Sequence, residues 1–233
     1  MRCPTRCFYH VVLVACLVAC SKVPPAWERT CETEGVSTID LGGTILEVPS
    51  SLWGAYIKGN GPSLGNLSKE ERANTRICPL PNGQTVEAQQ ISFFPLPDYG
   101  DGDGRRRMPV HIIISYRPEG GEDLYSQRNW ESVEFQDAGE GFNSAPNGSV
   151  GMGAAEVFVQ KVPTLRTPSG HPVMFGCYSG KSSRGRECFT WWHDKSGLQY
   201  EYSFHDGDFP RSGWLLLHEQ VVENIAALKR ENQ

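Results

Sequence analysis

Met174-Phe175-Gly176-Cys177-Tyr178-Ser179-Gly180-Lys181-Ser182-Ser183-Arg184-Gly185-Arg186-Glu187-Cys188-Phe189-Thr190-Trp191-Trp192 is the stretch on which the fold turns. Apolar and aromatic runs at its two ends flank a Gly/Ser-rich centre, the pattern of strand, turn and strand. Folding it symmetrically about Ser182 and Ser183 sets Cys177 opposite Cys188, within reach of a cross-strand disulfide. In the second strand Phe189, Trp191 and His193 share one face, and Cys188, Thr190 and Trp192 share the other. Such a strand is either covered on both sides or offers a tryptophan for recognition. Trp191 and Trp192 are therefore core residues or, if one face is open, the candidate partner-binding residues.

Downstream, Gln199-Tyr200-Glu201-Tyr202-Ser203-Phe204 alternates, with Tyr200, Tyr202 and Phe204 on one face, as in a sheet that meets a core on one side only. After Pro210 the period lengthens: Trp214, Leu217, Val221, Ile225 and Leu228 recur at three- and four-residue spacing. That predicts an amphipathic helix with Ser212 as N-cap and Lys229 and Arg230 at its negative end. Upstream, strand-like runs cover 39–48, 86–94, 110–116, 156–162 and 173–178. Ser68 and Glu71 have capping-box spacing for a short helix over 69–75, and a helical turn or two is expected between Glu122 and Trp130. Asp98 to Arg107 and Gly139 to Gly153 read as long loops. The expectation is an α+β fold, an antiparallel β-sheet packed by a C-terminal amphipathic helix, in a single domain over residues 31–233.

Bulk composition agrees. The chain has 233 residues, 39% apolar and 21% charged, which suits one folded domain and excludes a disordered acidic tail or a membrane bundle. Gly 25 and Pro 16 make up about 18% of it, favouring many turns between short strands. The formal charge of -5 is dispersed, and no basic stripe indicates nucleic-acid binding.

Residues 1–19 have the layout of a signal peptide: Arg2 and Arg6 precede an apolar run from Val11 to Ala19 that is too short to span a bilayer. Leu17-Val18-Ala19-Cys20 closes it and resembles the lipobox of bacterial lipoproteins. Leu17 is too large for an ordinary signal-peptidase site. The resemblance implies cleavage before Cys20 and acylation of that cysteine, palmitate included, which would fasten the protein to the membrane. It also implies that Ser21, where an aspartate would favour inner-membrane retention, directs the lipid anchor to the periplasmic leaflet of the outer membrane. Residues 20–30, with Pro24 and Pro25, would form the lipidated N-terminus and tether. Cys3, Cys7 and Cys16 leave with the signal and Cys20 is acylated, so Cys31, Cys78, Cys177 and Cys188 remain. This even number fits an oxidising compartment. With Cys177 bonded to Cys188, Cys31 pairs with Cys78 by elimination, closing a loop of about 48 residues worth ~3–4 kcal/mol. Four zinc ligands are the alternative, but no two of these cysteines stand two to four residues apart.

Catalytic and metal motifs fail on inspection. Asp98, Asp101, Asp103 and Gly104 suggest a calcium loop, yet Arg105 and Ile112 occupy ligand positions. Gly151-Met152-Gly153 lacks the third glycine of a dinucleotide fingerprint, Glu156 standing in its place. Asn66-Leu67-Ser68 and Asn147-Gly148-Ser149 are glycosylation sequons in form only, given a bacterial host. His193-Asp194 and His205-Asp206 close adjacent strands and could meet at one sheet edge as acid and base, although no serine sits in a nucleophile elbow. No metal, cofactor or enzymatic activity is expected.

The early strand ending Leu46-Glu47-Val48-Pro49 and the last helix opening on an aromatic after a proline resemble PsbP-like periplasmic modules. Together, the lipobox, tether, paired cysteines and acidic balance resemble periplasmic immunity lipoproteins that neutralise type VI secretion effectors. Loss of Arg2 and Arg6 from 22 basic residues leaves 20 against 27 acidic ones, or -7, a charge suited to a basic patch on a toxin. The resemblance implies a protein partner, a secreted toxin effector. An accessory or assembly lipoprotein of an outer-membrane complex is the second reading, and an envelope hydrolase using His193, Asp194, His205 and Asp206 the third.

Overall fold

The computed structural model describes residues 35–50, 52–58, 84–94, 110–120, 123–126, 130, 133–146 and 155–229. The expected signal segment, tether, Cys20, Cys31, Cys78, the helix over 69–75 and the loop from 98 to 107 lie outside them.

The described residues include twelve strands and one α-helix. The strands are β1 (Val36–Leu41), β2 (Thr44–Pro49), β3 (Trp53–Lys58), β4 (Thr85–Glu87), β5 (Gln90–Phe94) and β6 (His111–Tyr116). They continue with β7 (Gln136–Gly139), β8 (Phe142–Pro146), β9 (Glu156–Gln160), β10 (Met174–Ser182), β11 (Gly185–His193) and β12 (Leu198–His205). Nine of them form one sheet in the order β3-β5-β6-β12-β11-β10-β9-β8-β7, with every neighbouring pair antiparallel. A smaller sheet, β2-β1-β4, holds one antiparallel and one parallel pair. After a 3-10 turn (Arg211–Gly213), helix α1 runs over Trp214–Leu228. An α+β fold with a large antiparallel sheet and a C-terminal helix is thus what the alternation and the change of period predicted.

Several boundaries differ from the sequence expectation, each for a local reason. The run 39–48 is two strands folded at Gly42-Gly43, both in the left-handed region at φ 62° and 93°. A Cβ on Gly42 would lie 2.3 Å from the Tyr116 ring, so glycine is required there by contact as well as by conformation. The run 86–94 divides at Ala88 between the two sheets, β4 pairing with β1 and β5 with β6. The expected loop from Gly139 contains the turn and second strand of the hairpin β7–β8, the turn Gly139-Glu140-Gly141 having φ of 77°, 51° and 83°. Between Glu122 and Trp130, Leu124–Ser126 form a single turn. Strand β3 had no clear sequence signal. Ser212 does not cap α1: Gly213 holds that position without a side-chain bond, and the Ser212 N–H donates to Glu140 Oε2 at 2.8 Å.

Helix α1 buries Trp214, Leu217, His218, Val221, Ile225 and Leu228. They share one core with Ile39, Leu41, Leu46 and Val48 of the small sheet and Tyr200, Tyr202 and Phe204 of β12. Each fully buried apolar side chain contributes about 1.5–3 kcal/mol relative to exposure, so this stripe fixes the helix far more firmly than helix propensity could. Trp214 is its anchor, 5.7, 5.2, 5.2 and 5.3 Å from the rings of Phe142, Phe158, Phe175 and Phe204. Its indole N–H donates to the Phe209 carbonyl at 3.0 Å, leaving no buried donor unpaired. The opposite face of the large sheet carries a second core: Leu124, Trp130, Ala145, Val157, Met174, Phe189 and Trp191.

His218 titrates inside the first core. It is 6% exposed, its Nδ1 lies 3.2 Å from the Tyr202 hydroxyl, and burial pushes its imidazole down to about 4. The unfolded chain holds this group near 6.5, so below that pH the unfolded state binds the proton more readily. Stability is therefore expected to fall from about pH 6.5 and to level off near pH 4, by on the order of 2 kcal/mol. Urea unfolding of His218→Gln across that range should show a shallower loss than the native chain, and equal slopes would refute the assignment.

Candidate functional site

On the sheet face away from α1, strands β6, β12, β11 and β10 enclose a groove of about 170 Å³, with His111, Tyr178, Glu187, Phe189, Glu201 and Ser203 among its lining residues. Register places most of them: Phe189 lies opposite Ser203, Ser203 opposite His111, and Glu201 opposite Trp191. Tyr178 arrives by another route. Cys177 pairs with Cys188 but Lys181 pairs with Arg186, so β10 spends four steps where β11 spends two. This irregularity sets Tyr178 beside Glu187 and leaves its side of the groove open, the residue being 37% exposed.

Tyr178 and Phe189 form an aromatic wall with ring centres 4.9 Å apart, and Phe189 stacks on Trp191 at 5.7 Å. His111 stacks on Phe94 at 4.9 Å. Burial, reinforced by the Glu187 charge, raises the Glu201 carboxyl above the usual carboxylate range despite the opposing pull of Arg117. Burial likewise lowers His111 in spite of Glu187, so the ring is neutral near pH 7. Tyr178 is raised by burial and by the two glutamates. The groove is therefore polar, electronegative and without a charged histidine.

The tryptophans expected to bind a partner are elsewhere. Trp191 is 2% exposed in the second core and Trp192 6% exposed in the first, stacked on Tyr200 at 5.4 Å. Strand β11 is covered on both sides, which withdraws both rings from any partner. Cys177 and Cys188 do form a disulfide, with Cα atoms 4.1 Å apart and both residues buried. The turn, however, is centred one residue later than symmetry suggested, since Ser182 pairs with Gly185. The irregular interval in β10 restores the cysteine register. His193 and His205 do not meet. His193 lies opposite Gln199 and His205 opposite Glu187, so six residues of β11, about 20 Å, separate the two ends. That distance removes the reason for treating them as one acid–base pair.

Their neighbouring aspartates serve the fold. Asp194 accepts from Lys229 Nζ at 2.8 Å, Ser196 Oγ at 2.5 Å and the Tyr200 hydroxyl at 2.5 Å. Burial works to raise its carboxyl, but the bonds from Lys229, Ser196 and Tyr200 outweigh it and hold the group at about 2. This links the end of α1 to the β11–β12 turn. Asp206 binds Arg186 at 2.8 Å, and Arg186 also reaches Glu156 at 2.6 Å, joining β9, β11 and the end of β12.

The Asp–His pair sought at the strand ends occurs instead between Asp123 and His171. Nδ1 of His171 lies 2.9 Å from a carboxylate oxygen that also accepts from Thr167 Oγ1 at 2.8 Å. The Asp123 side chain is 1% exposed. Burial tends to raise its carboxyl, yet hydrogen bonds from Thr167, His171 and Ser126 hold it below the ordinary range. The arrangement fixes the His171 tautomer and ties the 123–126 turn to the 167–171 loop. Among the described residues no nucleophile is bonded to the ring. Forty-eight positions of chain separate the two residues, so no local pattern announced them.

Among the described residues no group of three or more His, Cys, Asp or Glu is placed to hold a metal ion. No family profile, no curated protein and no solved structure matches this chain.

Asp194 sets the acid limb of stability. A carboxylate near 3.8 in the unfolded chain and about 2 when folded stabilises at neutral pH, and that contribution disappears as pH falls from about 4 to about 2. Asp194→Asn should lower neutral-pH stability by about 1 kcal/mol after allowance for solvent screening and should flatten this acid limb. Chemical unfolding at pH 7 and near pH 3 measures both, and an unchanged limb would remove Asp194 from this role.

Proposed function

We propose that this chain is a membrane-tethered periplasmic lipoprotein whose sheet domain binds another protein, in the manner of immunity lipoproteins that neutralise type VI secretion effectors. The observation that carries the reading is Leu17-Val18-Ala19-Cys20 directly behind a charged start and a short apolar run. Cleavage before Cys20 and acylation there give an anchor in the outer membrane facing the periplasm, and the residues from 21 onward remain in water. A buried Cys177–Cys188 disulfide suits that oxidising compartment. Among the described residues no helix is long and apolar enough to cross a membrane, which is compatible with attachment through lipid. The formal charge of -7 left after removal of Arg2 and Arg6 from 22 basic and 27 acidic residues favours a basic protein surface as partner. The reading involves binding only, without metal or cofactor.

Two measurements test it. Mass spectrometry of the purified protein should find Cys20 at the N-terminus, diacylglyceryl-modified, and Cys20→Ser should abolish the lipid and release the protein from membranes. Deleting the gene should sensitise cells to a co-encoded effector, with protection restored by the native gene. Intact residues 1–19, or indifference to every neighbouring toxin, would overturn the lipoprotein or the immunity reading respectively. Capture of a fixed outer-membrane complex in the absence of toxin would favour an assembly role instead.

A further inference from the structure

Among the described residues, the groove on the face away from α1 combines two glutamates with an aromatic wall. Asp123, Asp194 and Asp206 each spend their charge on a cation or on donors within the fold. Glu187 and Glu201 make no ion pair with the described residues, yet both line a cavity of about 170 Å³. One wall of that cavity is the Tyr178 ring, which rests on the buried Phe189 ring with centres 4.9 Å apart. Aromatic faces and carboxylates together are the surroundings a guanidinium or ammonium group prefers, because the ring quadrupole and the anionic oxygens attract the same charge. A volume of this size suits one extended side chain.

We propose that this groove receives a single arginine or lysine side chain from the basic surface of a protein partner, held between the Tyr178 ring and the Glu187 and Glu201 carboxylates. The assignment rests on the protein-binding reading above and adds to it the place and chemistry of contact. Three features support it. His111, the nearest titratable base in the lining, is neutral near pH 7 and does not compete for the carboxylates. Glu201 is held above its ordinary range by burial and by Glu187, a cost that an incoming cation would relieve. The extra residues of β10 leave Tyr178 exposed at the rim, where a partner's side chain would slide past it. Arg117 is the cation acting on Glu201, and its pull does not cancel that cost.

The full-length lipoprotein in detergent micelles is titrated with a glycine-flanked arginine peptide and with the same peptide carrying citrulline, which keeps the shape and loses the charge. NMR signals of the His111 and Tyr178 rings report binding. The arginine peptide should shift both signals saturably and the citrulline peptide should not, while Glu187→Gln and Glu201→Gln should each weaken the response by about tenfold. Equal melting temperatures of the two variants and the native protein establish that the fold is kept; if one variant unfolds, the other and the charge-neutral peptide still decide. No response to arginine, an equal response to citrulline, or native affinity in a folded variant would overturn the proposal. Protection against the effector that survives both glutamine substitutions would remove the groove and leave the immunity reading intact. Arginine binding without any toxin-linked phenotype would do the reverse.

Discussion

Strand β11 has no face left for water over most of its length, and that requirement organises the molecule. Cys188, Thr190 and Trp192 point into the core beneath α1, while Phe189 and Trp191 point into the second core with Leu124 and Trp130. A strand with large aromatics on both sides cannot sit at an edge or under a single layer, because either choice would expose several apolar side chains. It occupies the middle of the nine-stranded sheet, between β10 and β12. The helix and the small sheet close one side, and Leu124, Tyr125, Trp130, Val133 and Phe135 close the other.

The irregular interval in β10 connects this packing to the candidate site. Cys177 faces the first core and is bonded to Cys188, so the strand is pinned at the point where its register changes. Tyr178 follows at once on the other face, where the additional length of β10 leaves it half exposed beside Glu187. A regular hairpin would keep Tyr178 in ladder register. Beyond the irregularity the hairpin tip is held by Arg186, whose guanidinium reaches both Glu156 and Asp206. Gly185 completes the lock: at φ 94°, a Cβ there would lie 2.2 Å from Asp206 Oδ1.

The polar residues divide by what they bond to. Asp194 and Asp206 lie at opposite ends of the β11–β12 pair, and each closes its end with a cation. Asp123 anchors the cover over the second core through Thr167 and His171. These carboxylates are bonded within the fold and serve cohesion. Glu201 differs, being raised by burial and by a like charge across the groove, and a group whose environment opposes its ionisation is an economical place to receive a cation.

Local periodicity in the amino-acid sequence determined the strand–turn–strand around Cys177 and Cys188, the half-buried alternation of β12 and the stripe of α1. Each of these is a repeat of two or three to four residues, which short windows display. The same alternation named the two faces of β11 correctly but could not say that both were covered, since coverage comes from segments 60 to 70 positions away, around Leu124 and Trp130. The split of 86–94 between two sheets, the strand ends that keep His193 and His205 apart, the Asp123–His171 pair and the groove all depend on which strands become neighbours. Pairing across the sheet is a long-range matter, decided by how the whole set of apolar faces can be buried at once, and only the tertiary structure contains it.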